Sequence, residues 1–349
     1  MKLVVTGGAG FIGSNFIRYV LAKHPPYSIL NLDKLTYSGN LHTLRDVGAD
    51  ARHTFVRGDI CDRRKVQEVF STGVEAVVHF AAESHVDRSI MDSAAFVKTN
   101  VLGTQCLLDV ARQAGIKRFV LVSTDEVYGS APAGEKFTEE SPLAPNSPYA
   151  ASKAGADLLA RAYFRTYRFP VIITRCTNNY GPYQYPEKFI PLIITRALEG
   201  QDIPVYGDGL QVRDWIYVMD HCTALGAILH NGREGQVYNL GAGNEWPNVE
   251  IARRILQLLG KPESLLTFVQ DRPGHDRRYA LNSEKAEKEL GWVPSTPFEE
   301  GLKKTVDWYL SNGDWLQRVA ARGYRSYYRK QYGRREATLA EILDQGGKK

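Results

Sequence analysis

Six short runs rich in apolar residues mark the first half of the chain, at residues 2–6, 28–32, 53–57, 76–80, 118–122 and 171–175. Runs of this length predict strands rather than helices. Between them apolar positions recur at helical spacing, over residues 14–22, from Arg63, over 97–112 and over 149–168. In the last of these Leu158, Leu159, Ala162 and Tyr163 fall on one face, which is expected to be buried. Strand and helix therefore alternate as in a doubly wound, parallel α/β sheet of the Rossmann type. Beyond Arg175 the alternation loosens. Helices are predicted at 189–199, at 251–259 with Gly260 as the stop, between 279 and 290, and at 301–310; strands are predicted at 203–206 and 211–218.

A chain of 349 residues exceeds one ordinary domain. We expect a dinucleotide-binding domain over 1–175, rejoined by parts of 205–240. A smaller α/β substrate lobe over 176–332 and a tail over 333–349 would complete it. Pro142, Pro145 and Pro148 mark a loop before the 149–168 helix, and Asn178-Asn179-Tyr180-Gly181-Pro182 is a turn-rich exit into the second lobe.

Composition narrows the function. With 43% hydrophobic and 24% charged residues the chain is globular, and its formal charge of +5 is too mild and scattered for a nucleic-acid partner. The four cysteines, Cys61, Cys106, Cys176 and Cys222, have neither metal-ligand nor disulfide spacing, so no metal and a reducing, cytoplasmic setting are expected. No run approaches the ~20 apolar residues of a membrane span, and four glycines within the first thirteen residues break the pattern of a leader.

The chemistry begins at Gly7-Gly8-Ala9-Gly10-Phe11-Ile12-Gly13, between a strand and a helix. In that context Gly7, Gly10 and Gly13 let backbone approach a pyrophosphate, whose charge meets the helix N-terminus. Asp33 ends the second strand twenty residues later, placed to bind ribose hydroxyls and to repel a 2′-phosphate. This favours NAD over NADP, although Lys34 beside it would soften that rejection. Asp59 either meets the adenine or caps the helix starting near Arg63. Small residues at Ala81 and Ala82 let a fourth strand pass close to the dinucleotide.

The 118–122 run ends in Ser123-Thr124-Asp125-Glu126, two hydroxyls and two carboxylic acids at the rim of a buried strand. Tyr149 and Lys153 lie one helical turn apart, so the ammonium is expected to lower the phenol's pKa and make it a base. Asp125 and Glu126 supply a second acid/base pair. The run Asp271-Arg272-Pro273-Gly274-His275 is irregular, and its arginine and histidine suit a diphosphate; a surface loop with incidental charge is the other reading.

Several stretches together resemble the extended short-chain dehydrogenase/reductases, and among them the nucleotide-sugar dehydratases. They are TGGAGFIG at 6–13, DKLTY at 33–37, AAESHVDRS at 81–89, STDEVYG at 123–129, Tyr149-x-x-x-Lys153, NNYGP at 178–182, PEK at 186–188, RDW at 213–215 and DRPGHDRRY at 271–279. The likeness spans nearly the whole chain. It implies NAD as cofactor, a cofactor set extended by Phe11, Ile12, Ile60, Thr99 and Asn179, and dTDP-glucose as substrate. It also implies that Ser84, Asn178, Lys188, Arg213, Asn248, Arg272 and His275 grip the nucleotide sugar, with Tyr332 reaching back from the tail. By the same likeness Tyr149, Lys153 and Thr124 serve oxidation, Glu126 and Asp125 serve loss of water, and the chain forms a homodimer through the helices at 97–112 and 149–168. A 4-epimerase or decarboxylase of the same fold has no need of Asp125 and Glu126; a non-catalytic dinucleotide sensor has no need of Tyr149 and Lys153. UDP-, GDP- or CDP-glucose stays open as the substrate, since Pro204-Val205-Tyr206 resembles a base-contacting stretch without specifying thymine.

Overall fold

The computed structural model describes residues 1–320, Tyr328, Tyr332 and Gly333; of the tail expected over 333–349, only Gly333 falls within them. Strands that are apolar on both faces hide both only beneath helices. Here β1 (Lys2–Thr6), β2 (Ser28–Asp33), β3 (His53–Arg57), β4 (Ala76–His79), β5 (Arg118–Thr124) and β6 (Val171–Cys176) join one parallel sheet. Its order, completed by β10 (Val237–Leu240), is β10-β6-β5-β4-β1-β2-β3, so the direction of winding reverses between β1 and β4. Ligands bind across the carboxyl ends of strands at such a reversal.

Helix α1 (Phe11–Lys23) covers one face, burying Phe16, Ile17 and Val20. It begins three residues before the predicted start, because Phe11 and Ile12 already belong to its first turn and Gly10 takes the cap position. On the other face lie α2 (Arg63–Phe70), α5 (Thr104–Gln113) and α6 (Pro148–Tyr167), with Leu107, Leu108 and Ala160 fully buried. Of the face of α6 expected to be buried, Tyr163 is buried but Leu158 and Ala162 are exposed, because Ala156, Ala160 and Tyr163 are the positions that meet the sheet. Asp62, not Asp59, caps α2, its carboxylate accepting from the N–H groups of Arg64 and Lys65. Pro148 is not in the preceding loop but opens α6, where its missing N–H costs nothing, and Ser147 caps the helix.

The helix expected over 97–112 is interrupted. After α3 (Val86–Met91) and α4 (Ser93–Phe96), a π-helical segment, Val97–Gly103, precedes α5. The side chain of Asn100 donates to the Glu83 carbonyl (3.0 Å) and to Ser152 Oγ (2.8 Å) and accepts from Glu83 N–H (2.9 Å). The Asn100 carbonyl accepts from the Thr104 hydroxyl at 2.6 Å. The bulge thus ties the helix to the rim of the sheet, as such bulges do at functional sites.

From β6 the chain crosses the cleft through Asn178–Tyr180, which is a strand, β7, and not a turn. It pairs with β9 (Val212–Tyr217), and β9 pairs antiparallel with β11 (Glu245–Pro247). Between them come α7 (Phe189–Glu199) and β8 (Ile203–Tyr206), both at the predicted positions. The predicted 211–218 strand gives way at Val218 to α8 (Val218–Asn231), a helix the sequence reading lacks. This helix packs Cys222, Leu225 and Ile228 onto α1's side of the main sheet, and β10 (Val237–Leu240) then pairs in parallel with β6. Helix α9 (Asn248–Leu259) and β12 (Leu266–Val269), which pairs with β8, return to the second lobe. After α10 (Glu284–Leu290) on the main sheet's side, α11 (Phe298–Ser311) and α12 (Gly313–Ala320) complete that lobe's core around Tyr180, Trp215, Ile251 and Leu302. None of the described helices is long and apolar enough to cross a membrane.

Candidate active site

The cleft opens along the carboxyl ends of β1, β2, β4, β5 and β6. At its floor Gly7 has φ +71, and a Cβ there would lie 2.6 Å from the Ala81 nitrogen. Only glycine lets these two strand ends meet. Gly10, Phe11, Ile12 and Gly13 continue the wall, and Ile60, Ala81, Ala82 and Thr99 line the same cleft. Asp33 is buried and accepts from the Ala9 N–H at 2.9 Å and the Leu35 N–H at 2.7 Å, so it braces the glycine turn as well as facing the cleft. Burial raises its pKa, against those two hydrogen bonds. Lys34 Nζ lies 2.7 Å from Asp59. Its charge is therefore met within the protein, which weakens it as a receptor for a 2′-phosphate. These features fit a non-phosphorylated dinucleotide. Thr36, Ser38 and Gly39 also line this end; the sequence assigned them no role, because nothing in a loop's composition tells that it folds back on the strand before it.

The chemical end is built by β5 and α6. Strand β5 runs two residues further than expected, so Ser123 and Thr124 belong to it and Asp125–Tyr128 forms a single 3-10 turn at its end. Thr124, Asp125, Glu126, Tyr149 and Lys153 all line the cleft. The Thr124 hydroxyl donates to Asp125 Oδ1 at 3.2 Å, while Asp125 Oδ2 is buried without a partner. Burial, and then the neighbouring Glu126 charge, push Asp125 well above the usual carboxylate range, against the pull of Arg213. Burial raises Glu126 as well, but Arg272, Arg213 and Lys188 oppose it. Both carboxyls are thus raised by burial, Asp125 with its neighbour's charge added, while Glu126 faces three cations that favour its base form.

Tyr149 departs from expectation. Burial, then Glu126 and Cys176, raise its phenol well above the ordinary value rather than lowering it. Lys153 directs its ammonium to the Val122 carbonyl at 2.8 Å, and burial lowers its pKa against the favourable charge of Asp157. The same-face pairing on α6 is present, yet in the free protein the phenol keeps its proton.

The residues expected to grip the substrate divide into two groups. Ser84, Asn178 and Lys188 line the cleft together with Asn179, and Lys188 Nζ donates to the Ser84 carbonyl at 2.5 Å. Arg213, Arg272, His275, Asn248 and Tyr332 lie outside that lining, in the second lobe or its tail. Arg213 is buried over the Tyr279 ring at 4.1 Å and donates to the Asp276 carbonyl. Arg272 faces Asp87 at 3.9 Å, and His275 Nδ1 lies 2.6 Å from Asp271. The Tyr332 and Tyr206 hydroxyls are 2.7 Å apart, and Tyr206 donates to Asp87 at 2.9 Å. Asn248 opens α9, with its Oδ1 buried and unpartnered. Glu187, which the 186–188 motif contains without a role of its own, also lines the cleft and accepts from Arg88 at 2.8 Å.

Sheet order, strand-end cleft and the Tyr149–Lys153 helix are together those of an extended short-chain dehydrogenase/reductase. Residues 4–305 match the model of the family described as GDP-mannose 4,6 dehydratase. The chain belongs to this family of nucleotide-sugar 4,6-dehydratases. It is 52% identical to the dTDP-glucose 4,6-dehydratase of Streptomyces niveus, over 91% of this chain and 95% of that one. With the Salmonella typhimurium dTDP-glucose 4,6-dehydratase the identity is 46%, over 96% and 100%. Among solved structures, DesIV, a dTDP-glucose 4,6-dehydratase from Streptomyces venezuelae with NAD bound, superposes with TM-score 0.89 at 53% identity, covering 91% of this chain and all of that one. A Thermotoga maritima UDP-glucose 4-epimerase with UDP-glucose superposes at 0.83 and 30% identity, over 89% and 99%.

Proposed function

We propose that the protein is an NAD-dependent dTDP-glucose 4,6-dehydratase, a hydro-lyase that forms dTDP-4-keto-6-deoxyglucose. The observation that carries this reading is the pair of unlike carboxyls, Asp125 and Glu126, in the same cleft as Tyr149 and Lys153. A 4-epimerase or decarboxylase has no step for that pair. Identity near one half to dTDP-glucose dehydratases, against 30% to the epimerase, points the same way.

NAD, when bound, supplies a hydride acceptor for C4 of the sugar and returns the hydride to C6. Gly7, Gly10, Gly13 and the start of α1 would hold its pyrophosphate, Asp33 its adenosine ribose, and Asp59 and Ile60 the adenine side. Tyr149, with Thr124 bonding the sugar 4-hydroxyl, removes the hydroxyl proton as C4 is oxidised. Because burial raises this phenol in the free protein, it must first release its own proton to solvent in the loaded enzyme, and Lys153 is the cation on the same helix face that can stabilise the phenolate so formed. The new C4 ketone acidifies the C5 hydrogen. Glu126 takes that proton, and protonated Asp125 gives its own to the departing C6 hydroxyl, which leaves as water. Glu126 then returns its proton to C5. Lys188, Arg213 and Arg272 supply cations suited to the diphosphate.

Four free cysteines support a cytoplasmic setting. Exposed apolar side chains at Val97, Leu102, Leu158 and Tyr167 support a homodimer through the π segment and α6, checked by light scattering. The deciding assay incubates the protein and NAD with dTDP-glucose, and in parallel with UDP-, GDP- and CDP-glucose, without added reductant. Keto sugar is expected from dTDP-glucose; its absence rejects the assignment.

A further inference from the structure

Behind the carboxyl pair, away from the cleft lining, lies a buried polar chain that joins four elements. Tyr128 ends the same 3-10 turn that begins with Asp125. Its hydroxyl donates to Asn239 Oδ1 on β10 at 2.8 Å and accepts from Arg175 Nη1 on β6 at 2.7 Å. Arg175 Nε in turn donates to Asp157 Oδ2 at 2.8 Å, and Asp157 stands one turn beyond Lys153 on α6. Tyr128 is 2% exposed, Asp157 1% and Asn239 0%, so none of these bonds is shared with bulk water. Phe137 stacks on the Tyr128 ring at 5.0 Å, and Asn239 donates to the Phe137 carbonyl at 3.0 Å.

We propose that Tyr128, Arg175 and Asn239 are positioning residues that hold the Asp125–Glu126 turn in register with the Tyr149–Lys153 helix. In a 3-10 turn, side chains three positions apart eclipse, so displacement of Tyr128 is carried to Asp125 through one short rigid unit. Arg175 makes the register specific, because a single guanidinium bonds both the turn, through Tyr128, and the helix, through Asp157. The second, dehydrating stage needs both carboxyls placed on C5 and C6, whereas the first stage needs only Tyr149, Lys153 and Thr124. Slackening this chain therefore separates two stages that a general loss of structure would slow together.

The inference rests on the dehydratase reading above. Tyr128→Phe keeps the ring and its stacking and removes both hydroxyl bonds. In single turnovers of the NAD-loaded enzyme with dTDP-glucose, absorbance at 340 nm reports the first stage and keto-sugar release the second. The expected result is first-stage oxidation within about threefold of the parent and product formation slowed ~100-fold, so that reduced cofactor accumulates; displacements near 1 Å have effects of this size. Arg175→Lys, which retains the charge facing Asp157 but loses the planar fork, should show the same split and decides the matter if Tyr128→Phe does not fold. Product formation at the parent rate, or equal slowing of both stages, overturns the proposal. A parent enzyme that makes no keto sugar would instead reject the dehydratase reading itself.

Discussion

Gly13→Ala sets two effects of opposite sign against each other. Position 13 lies in the first turn of α1, where alanine in place of glycine contributes up to about 1 kcal/mol of helix propensity. The added Cβ, however, would stand 2.5 Å from the Gly7 carbonyl oxygen and 2.9 Å from the Gly8 Cα. Ordinary contact begins at 3.4 Å, so the turn must open by about 0.9 Å, against backbone that has no flexible end to yield. Overpacking of this kind costs about 1–3 kcal/mol, which outweighs the propensity gain. The larger consequence falls on the cofactor, since the displaced turn presents its N–H groups to the pyrophosphate at the wrong distance. Weakening one or two charge-assisted hydrogen bonds, each worth ~1.5–3 kcal/mol, lowers NAD affinity ~10- to 100-fold. Gly48→Ala, outside the cleft lining, is the control: there the Cβ would meet the Leu44 oxygen at 3.3 Å, a shortfall of a tenth of an ångström. Calorimetric titration of cofactor-stripped variants with NAD, alongside thermal unfolding with and without NAD, reads both effects. Equal NAD affinity in the two variants would refute the link between close packing of this turn and cofactor binding.

Glu126→Gln should leave oxidation of dTDP-glucose intact, seen as bound reduced cofactor at 340 nm, while keto-sugar formation drops ~10²- to 10⁴-fold through loss of the general base. Because Glu126 helps to raise the Tyr149 phenol, the pH profile of the oxidation stage should also move to lower pH; product at the parent rate would remove Glu126 from its role. His79 and His221 are buried, and burial pushes each down to about 3. In the unfolded chain each returns to its ordinary value near 6.5, so the unfolded state binds more protons below pH ~6.5 and stability is lost as pH falls from there towards 3, by about 1.4 kcal/mol per pH unit for each. The carboxyls whose pKa burial raises, Asp33, Asp125 and Asp214 among them, pull the other way. The clean measurement is therefore the difference between parent and His79→Gln in urea unfolding at pH 6 and pH 4, and parallel slopes would contradict it.

Much of this protein can be read along the chain. Short apolar runs imply a sheet buried on both faces, and a glycine turn between strand and helix implies a phosphate site, because each pattern has few other uses. Asp33, Asp125, Glu126, Tyr149 and Lys153 stand out by residue type at the ends of such elements, and α7 and β8 fall where the period places them. Helix α8 did not stand out, since its apolar positions continue directly from a strand with no breaking residue between them. Its place on the main sheet is a long-range fact, set by the contacts Cys222, Leu225 and Ile228 make with α1's side of the core.

The electrostatics of the site belong wholly to the fold. One helical turn between a tyrosine and a lysine argues for a lowered phenol, yet desolvation and a carboxylate from another element reverse the sign. Adjacent carboxyls at positions 125 and 126 are covalent neighbours, but which one keeps its proton depends on Arg272, Arg213 and Lys188, drawn from the second lobe. The π bulge at Val97–Gly103 and the Tyr128–Arg175–Asp157 chain are likewise absent from any local pattern, because both are tied to partners on other elements, 17 to 52 residues away along the chain. Local sequence sets periodicity and chemical inventory through short-range sterics and solvation; burial and charge are sums over the whole neighbourhood, which exists only once the chain has closed on itself.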